Sequence, residues 1–190
     1  IRQRMDPHQT RTGQNNVDSS RTNCVDQVIQ MIMHAKKNIF IKDQYLFDRN
    51  VVLALVRAKK HSPNLDIRVL LEPMIRANPK GLPNLLYLDV LAANGIHIRW
   101  KRLITSHGNI HQEYHMKTMS ADGLSVISGS ANKDQTTMYG AFREEQLEVW
   151  DAEATKVHDD VFNSHWSNEE SDPFEGYEFE VPYALKGFNG

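Results

Sequence analysis

The chain has 190 residues, of which 40% are hydrophobic, and its 22 Lys and Arg against 24 Asp and Glu leave a net charge of −2. That is one globular domain with room for tails, long enough to bury a core without a metal or disulfide staple. The balance argues against a strongly basic nucleic-acid binder, no apolar run reaches the roughly 20 residues of a membrane span, and a single cysteine, Cys24, excludes an internal disulfide.

Residues 1–22 are polar and read as a linker or N-terminal arm. The chain opens at Ile1 rather than Met, as expected of a piece of a longer protein, so the compartment is open; a secreted or membrane-associated setting is compatible. From Asn23, Val25, Val28, Ile29, Ile32 and Met33 fall at helical spacing, with Thr22 or Asn23 as N-cap and Asn38 as the stop. Cys24 in that pattern reads as a small buried hydrophobe. "IFIKDQYLF" (Ile39–Phe47) follows as a strand and its exit loop. A second helix is expected over Asn50–Lys60, with Val52, Leu55 and Val56 inward. "DIRVLLEP" (Asp66–Pro73) reads as a buried strand, Arg76–Pro83 as a loop, and Asn84–Ala93 as a third helix closed by Asn94-Gly95. A strand over Ile96–Lys101 and a loop over Leu103–Gln112 come next.

Two strands, Tyr114–Ser120 and Leu124–Ser128, flank Asp122-Gly123, a pair suited to a tight hairpin turn. Gln146–Trp150 is a further strand, and Ala152–Trp166 an amphipathic helix with Ala154, Val157, Val161, Phe162 and His165 or Trp166 inward. Residues 167–190, acidic and aromatic, read as a C-terminal extension. Alternating helices and strands predict an α/β fold: a mostly parallel, mixed sheet flanked by helices on both faces, built by residues 23–166.

The hairpin carries the chemistry. His115 and Lys117 are two apart, so on a strand they share a face. Ser130 and Asn132, at the end of the returning strand, are again two apart. The turn brings the pairs together as an imidazole, an ammonium, a hydroxyl and a carboxamide. Such a group suits a phosphodiester: Lys117 offers charge to the non-bridging oxygens, Ser130 and Asn132 offer directed hydrogen bonds, and His115 can attack phosphorus or protonate a leaving alkoxide. Gly129 allows close backbone approach to a ligand. Asp122, at the turn, reads as turn chemistry rather than catalysis. No metal ligand set and no cofactor is indicated. His107 and His111 are four apart, but in a loop; they read as polar loop residues.

The spacing H-x-K-x4-D-x6-G-S-x-N, from His115 through Lys117, Asp122, Gly129 and Ser130 to Asn132, resembles the HKD motif of the phospholipase D superfamily. The likeness covers about residues 24 to 166. "NKDQTTMYGAFREEQLEV" (Asn132–Val149) is similar to the stretch after the second motif of two-motif phospholipases D. There an acidic residue supports the histidine; the corresponding position here is Glu145, with Glu144 beside it. "IFIKDQYLF" resembles a strand carrying a Gln-Tyr pair, which implies Gln44 and Tyr45 near the phosphate.

The resemblance implies two histidines, one per motif: one forms a phosphohistidine and the other protonates the leaving group. This chain holds one motif, so it supplies half a site. The other half is either an N-terminal half of the same original chain or a second copy across a two-fold axis. The activity implied is hydrolysis of a glycerophospholipid at a membrane surface to phosphatidic acid and a head group, as in some bacterial effectors and toxins. The alternatives are a homodimeric HKD nuclease, a phosphatidyltransferase of the cardiolipin synthase kind, or a half-domain that only binds a partner. A nucleic-acid partner is disfavoured by charge, and an inhibitory partner protein is compatible.

Overall fold

The computed structural model describes residues 9–15, 23–73, 84–102, 113–139 and 142–175. Their elements run β1 (Gln9–Asn15), α1 (Asn23–His34), β2 (Asn38–Asp43), α2 (Arg49–His61), β3 (Asp66–Leu71), α3 (Leu85–Ala93), β4 (His97–Lys101), β5 (Lys117–Ala121), β6 (Ser125–Gly129), α4 (Gln135–Met138), β7 (Glu144–Trp150), α5 (Ala152–His165) and β8 (Ser171–Pro173). The strands form one sheet in the order β1-β7-β6-β5-β2-β3-β4-β8.

The mixed α/β class is as expected, but the sheet is not mostly parallel. Only β2–β3 and β3–β4 run parallel. Parallel neighbours need a long crossover, and among the described elements α2 and α3 supply the two that exist. Past β4, β5 and β6 form a hairpin and β7 returns after α4, and both pairs are antiparallel. β5 docks antiparallel on β2.

Strand alternation sorts the core into two layers. Ile39, Ile41, Ile67, Val69, Leu71, Met119 and Ile127 face α1, α2 and α3. Phe40 and Leu70 face α5, where Phe162 stacks on Phe40 with ring centroids 4.7 Å apart and on Trp166 at 5.3 Å. Helix starts follow their caps: the Asp48 side chain accepts from the Val51 N–H at α2 and Asp151 from the Ala154 N–H at α5. Beyond α3, Gly95 takes φ 75°, the left-handed closure expected of Asn94-Gly95.

Several expectations shift. Residues 9–15, expected as linker or arm, form a polar edge strand on β7, tied by Arg11 to buried Glu148 at 2.6 Å. α1 turns Met31 inward and leaves Met33 46% exposed. α5 buries Thr155, His158 and Phe162, while Val157 and Val161 are exposed. Its inward stripe is partly polar because it covers Lys42, Thr118 and Ser120. Asn38 starts β2 rather than merely ending α1. Within the C-terminal extension, Ser171–Pro173 adds β8 to β4. The loops expected at Arg76–Pro83 and Leu103–Gln112, with His107 and His111, lie outside the described residues.

Candidate active site

Four strand ends meet at one end of the sheet, between its edges. Asp43 closes β2 opposite Lys117, the first residue of β5. Gly129 closes β6 opposite Gln146 near the start of β7. The motif residues therefore collect where β2 and β6 end and β5 and β7 begin.

His115 is exposed and precedes β5; the strand starts at Lys117, not at Tyr114. The lead-in is held from both sides. The Gln44 N–H donates to the Met116 carbonyl at 2.9 Å, and the Tyr114 N–H donates to the fully buried Glu72 carboxylate. The Tyr114 hydroxyl lies 3.2 Å from His165 Nδ1, pinning the same segment to α5.

Lys117 is 8% exposed, and its Nζ lies 3.5 Å from the His115 carbonyl. Burial holds its ammonium below the usual lysine range, opposed chiefly by the Asp43 carboxylate. Asp43 is fully buried and bonded to Lys133 Nζ at 2.5 Å. Burial pushes its carboxyl upward; the Lys133 ammonium and the Tyr45 N–H, at 3.1 Å, oppose that rise. Lys133 directly follows the motif Asn132. Neither Asp43 nor Lys133 was singled out from the sequence, because a charged residue inside a strand-end tetrapeptide carries no periodic signal.

Asn132 leaves a polar atom unsatisfied at this end of the sheet. Its Oδ1 is buried without a hydrogen-bond partner, the one such side-chain atom found among the described residues. An orphaned buried amide oxygen costs about 1–3 kcal/mol, and a group that donates a hydrogen bond to it relieves that cost.

Ser130 and Gly129 act differently from expectation. The Ser130 hydroxyl donates to the Glu144 carboxylate and accepts from the Glu145 N–H at 3.1 Å, so it ties the end of β6 to β7. A Cβ on Gly129 would sit 2.3 Å from the Glu145 carbonyl oxygen and 2.5 Å from Gln146 Cα. The close approach that Gly129 permits is to the β7 backbone. Glu144 and Glu145 lie on opposite faces of β7. Gln146 points to α1, donating to the Cys24 carbonyl at 2.7 Å, and strand alternation puts Glu144 on that same face, which Lys117 shares. Glu145 is exposed on the other face. Glu144 is also the carboxylate of the two that acts on the Lys117 ammonium.

Gln44 is buried and Tyr45 half-buried at the exit of β2. The Tyr45 carbonyl accepts from the Lys133 N–H at 3.1 Å, and the Gln44 carbonyl from Asn84 Nδ2 at 2.8 Å, so both flank the motif through their backbone. Asp122 takes φ 61°, and its carboxylate accepts from the N–H groups of Lys36, Lys37 and Asn38 at 2.7–3.3 Å. It staples the hairpin turn to the entry of β2, far from the site. Cys24 is buried and its thiol is pushed up to about 11, chiefly by desolvation. Among the described residues no group of three His, Cys, Asp or Glu is placed to hold a metal ion.

This fold and this convergence define an α/β domain of the phosphodiesterase-like kind, with one HKD motif. The model of the cardiolipin synthase, PLD-like domain matches residues 28–166, more than half of the chain, and the chain belongs to that family within the phospholipase D superfamily. No curated protein sequence matches it. Solved structures share the fold. Nuc from Salmonella typhimurium, described as a phospholipase D family member, superposes with a TM-score of 0.69 at 18% identity, over 87% of this chain and 97% of that one. NucT from Helicobacter pylori gives 0.71 at 15%, over 87% and 100%. The phosphatidylserine synthase of Haemophilus influenzae Rd KW20 gives 0.67 at 16%, over 88% and 40%.

Proposed function

We propose that the chain is one half of a phospholipase D-type phosphodiesterase acting on glycerophospholipids. The observation that carries this reading is the buried Lys117 ammonium, 3.5 Å from the carbonyl of the exposed His115, at the end of the sheet where β6 delivers Asn132. A phosphodiester fits that arrangement. Its non-bridging oxygens can accept from the Lys117 ammonium and the Asn132 side-chain N–H, and its phosphorus can face an imidazole.

The reaction takes two histidines, so a second HKD half completes the site, from an N-terminal half or a second copy. One imidazole attacks phosphorus and forms a P–N bond. The P–O bond to the head-group alcohol breaks, and the other imidazolium gives that alkoxide its proton. The latter imidazole then takes a proton from water, whose oxygen displaces the first and releases phosphatidic acid. Glu144 beside the site holds positive charge in place during both steps. The net charge of −2 favours a lipid over a nucleic acid.

The test is release of p-nitrophenol from bis-p-nitrophenyl phosphate, and of phosphatidic acid from phosphatidylcholine vesicles, by the 190-residue chain with His115→Ala as control. Activity on both substrates, lost in the variant by about 10²-fold or more, supports the reading and assigns the second half to another copy. Cleavage of the chromogenic diester and of DNA, but not of vesicles, overturns the lipid assignment and favours the nuclease. Activity unchanged in His115→Ala overturns the whole mechanism.

A further inference from the structure

The Asp43–Lys133 pair is fully buried at the floor of the site, and the resemblance that identifies the motif residues assigns it no role. Desolvating an ion pair is costly, and replacement by apolar residues is often neutral or stabilising. Retention at a site therefore asks for a reason beyond stability. Three features supply one. Asp43 is the register partner of Lys117 across β2–β5. Its charge acts on Lys117 as well as on Lys133. Lys133 is the next residue after Asn132, and its own backbone is fastened three times to the β2 exit: its N–H to the Tyr45 carbonyl, its carbonyl to the Phe47 and Asp48 N–H groups, all between 2.9 and 3.1 Å. One carboxylate thus stands between two ammonium groups, one locked and one facing the ligand.

We propose that Asp43 and Lys133 are positioning residues that set the charge and place of Lys117 and Asn132 for a phosphoryl group; this rests on the phosphodiester reading of the site. Lys133 occupies Asp43 with a bond of 2.5 Å. That leaves Lys117 attracted enough to stay an ammonium in a nearly dry setting, yet not captured by the carboxylate, so its Nζ is available to phosphate oxygens. Removing Lys133 frees Asp43 to capture Lys117. Removing Asp43 sets two buried ammonium groups against each other.

The two single variants therefore move Lys117 in opposite directions, which a mere structural brace would not do. The experiment is NMR titration of the Lys117 Cε and Nζ signals, together with binding of inorganic phosphate, in wild type, Asp43→Asn and Lys133→Met. The expected result is a lowered Lys117 pKa in Asp43→Asn, a raised one in Lys133→Met, and phosphate binding at least about tenfold weaker in both. Lys117 titrating as in wild type in both variants overturns the proposal, as does a shift of the same sign in both. If either single variant fails to fold, the charge-balanced Asp43→Asn/Lys133→Met chain decides. There Lys117 loses the larger attraction of Asp43 together with the smaller repulsion of Lys133, so a Lys117 pKa below wild type with weakened phosphate binding supports the proposal; a raised pKa, or wild-type phosphate binding, overturns it. None of these readouts needs turnover, so opposite shifts in a chain whose hydrolysis is unchanged by His115→Ala would sink the proposed function and leave the charge device standing.

Discussion

The main-chain N–H of Tyr114 hangs on the buried carboxylate of Glu72. That bond crosses from the end of β3 to the segment carrying His115, and the segment has no strand ladder of its own. Glu72→Leu leaves the Tyr114 N–H buried without its acceptor, at a cost of about 1–3 kcal/mol. The expected outcome is a lower urea midpoint with an unchanged slope, and phosphodiester turnover reduced more than the stability loss explains, because His115 is next in the chain. A variant as stable and as active as wild type would show that the lead-in is held by Gln44 and His165 alone.

Glu144 and Glu145 separate by one substitution each. The Ser130 hydroxyl donates to Glu144, and Glu144 shares the Lys117 face, while Glu145 is exposed on the other. Glu144→Gln is expected to lower kcat on the order of tenfold, a transition-state loss of about 1.4 kcal/mol. Glu145→Gln is expected to stay within about twofold. The check is steady-state hydrolysis of bis-p-nitrophenyl phosphate by both variants; the reverse ranking would restore Glu145 as the support of the histidine.

Asp122 is the motif residue whose contacts lie at the hairpin turn. Its carboxylate satisfies the N–H groups of Lys36, Lys37 and Asn38 while its backbone takes φ 61°. Asp122→Ala loses those charge-assisted bonds and puts a β-carbon without a compensating side chain in the left-handed region. The expected loss is about 2–4 kcal/mol of folding stability, read from urea unfolding. Phosphodiester hydrolysis by the remaining folded protein is expected at the wild-type level. A stable variant with no activity would give Asp122 a chemical part that its distance from the site denies.

The hairpin and its motif were legible because they are local. Asp-Gly fixes a turn, and a fixed turn fixes which side chains meet. Long apolar runs at β2 and β3 were legible for the same reason, since burial on both faces leaves a continuous pattern. What escaped depends on partners distant in sequence. β1 is all polar and becomes a strand only because β7 offers an edge and Glu148 holds Arg11. The inward face of α5 was misread because Val157 and Val161 carry the hydrophobicity, while the sheet beneath presents polar atoms that His158 can bond. Which of Glu144 and Glu145 shares the Lys117 face depends on the same distant partners. Family spacing counts residues, whereas a strand alternates faces, so an offset of one moves a carboxylate to the far side of the sheet.

Lys42 offers a prediction that does not depend on the reaction. It lies 2% exposed beneath α5, among Thr118, His158, Asp159 and His165, and burial brings its ammonium down to about 8 against the attraction of Asp159. The folded pKa is the lower one, so between about 8 and the unfolded value of 10.5 the native state binds fewer protons than the unfolded chain. Stability due to this group therefore rises with pH across that window, and below it the full penalty stands. The shift corresponds to about 3 kcal/mol. Lys42→Met removes the penalty and the charge that helps depress His158. The variant is expected to be more stable than wild type at pH 7, with the gap closing as pH approaches 10.5, measured by urea unfolding at both ends. A gap that stays constant with pH would mean that Lys42 keeps its proton at its ordinary value and that packing alone separates the two proteins.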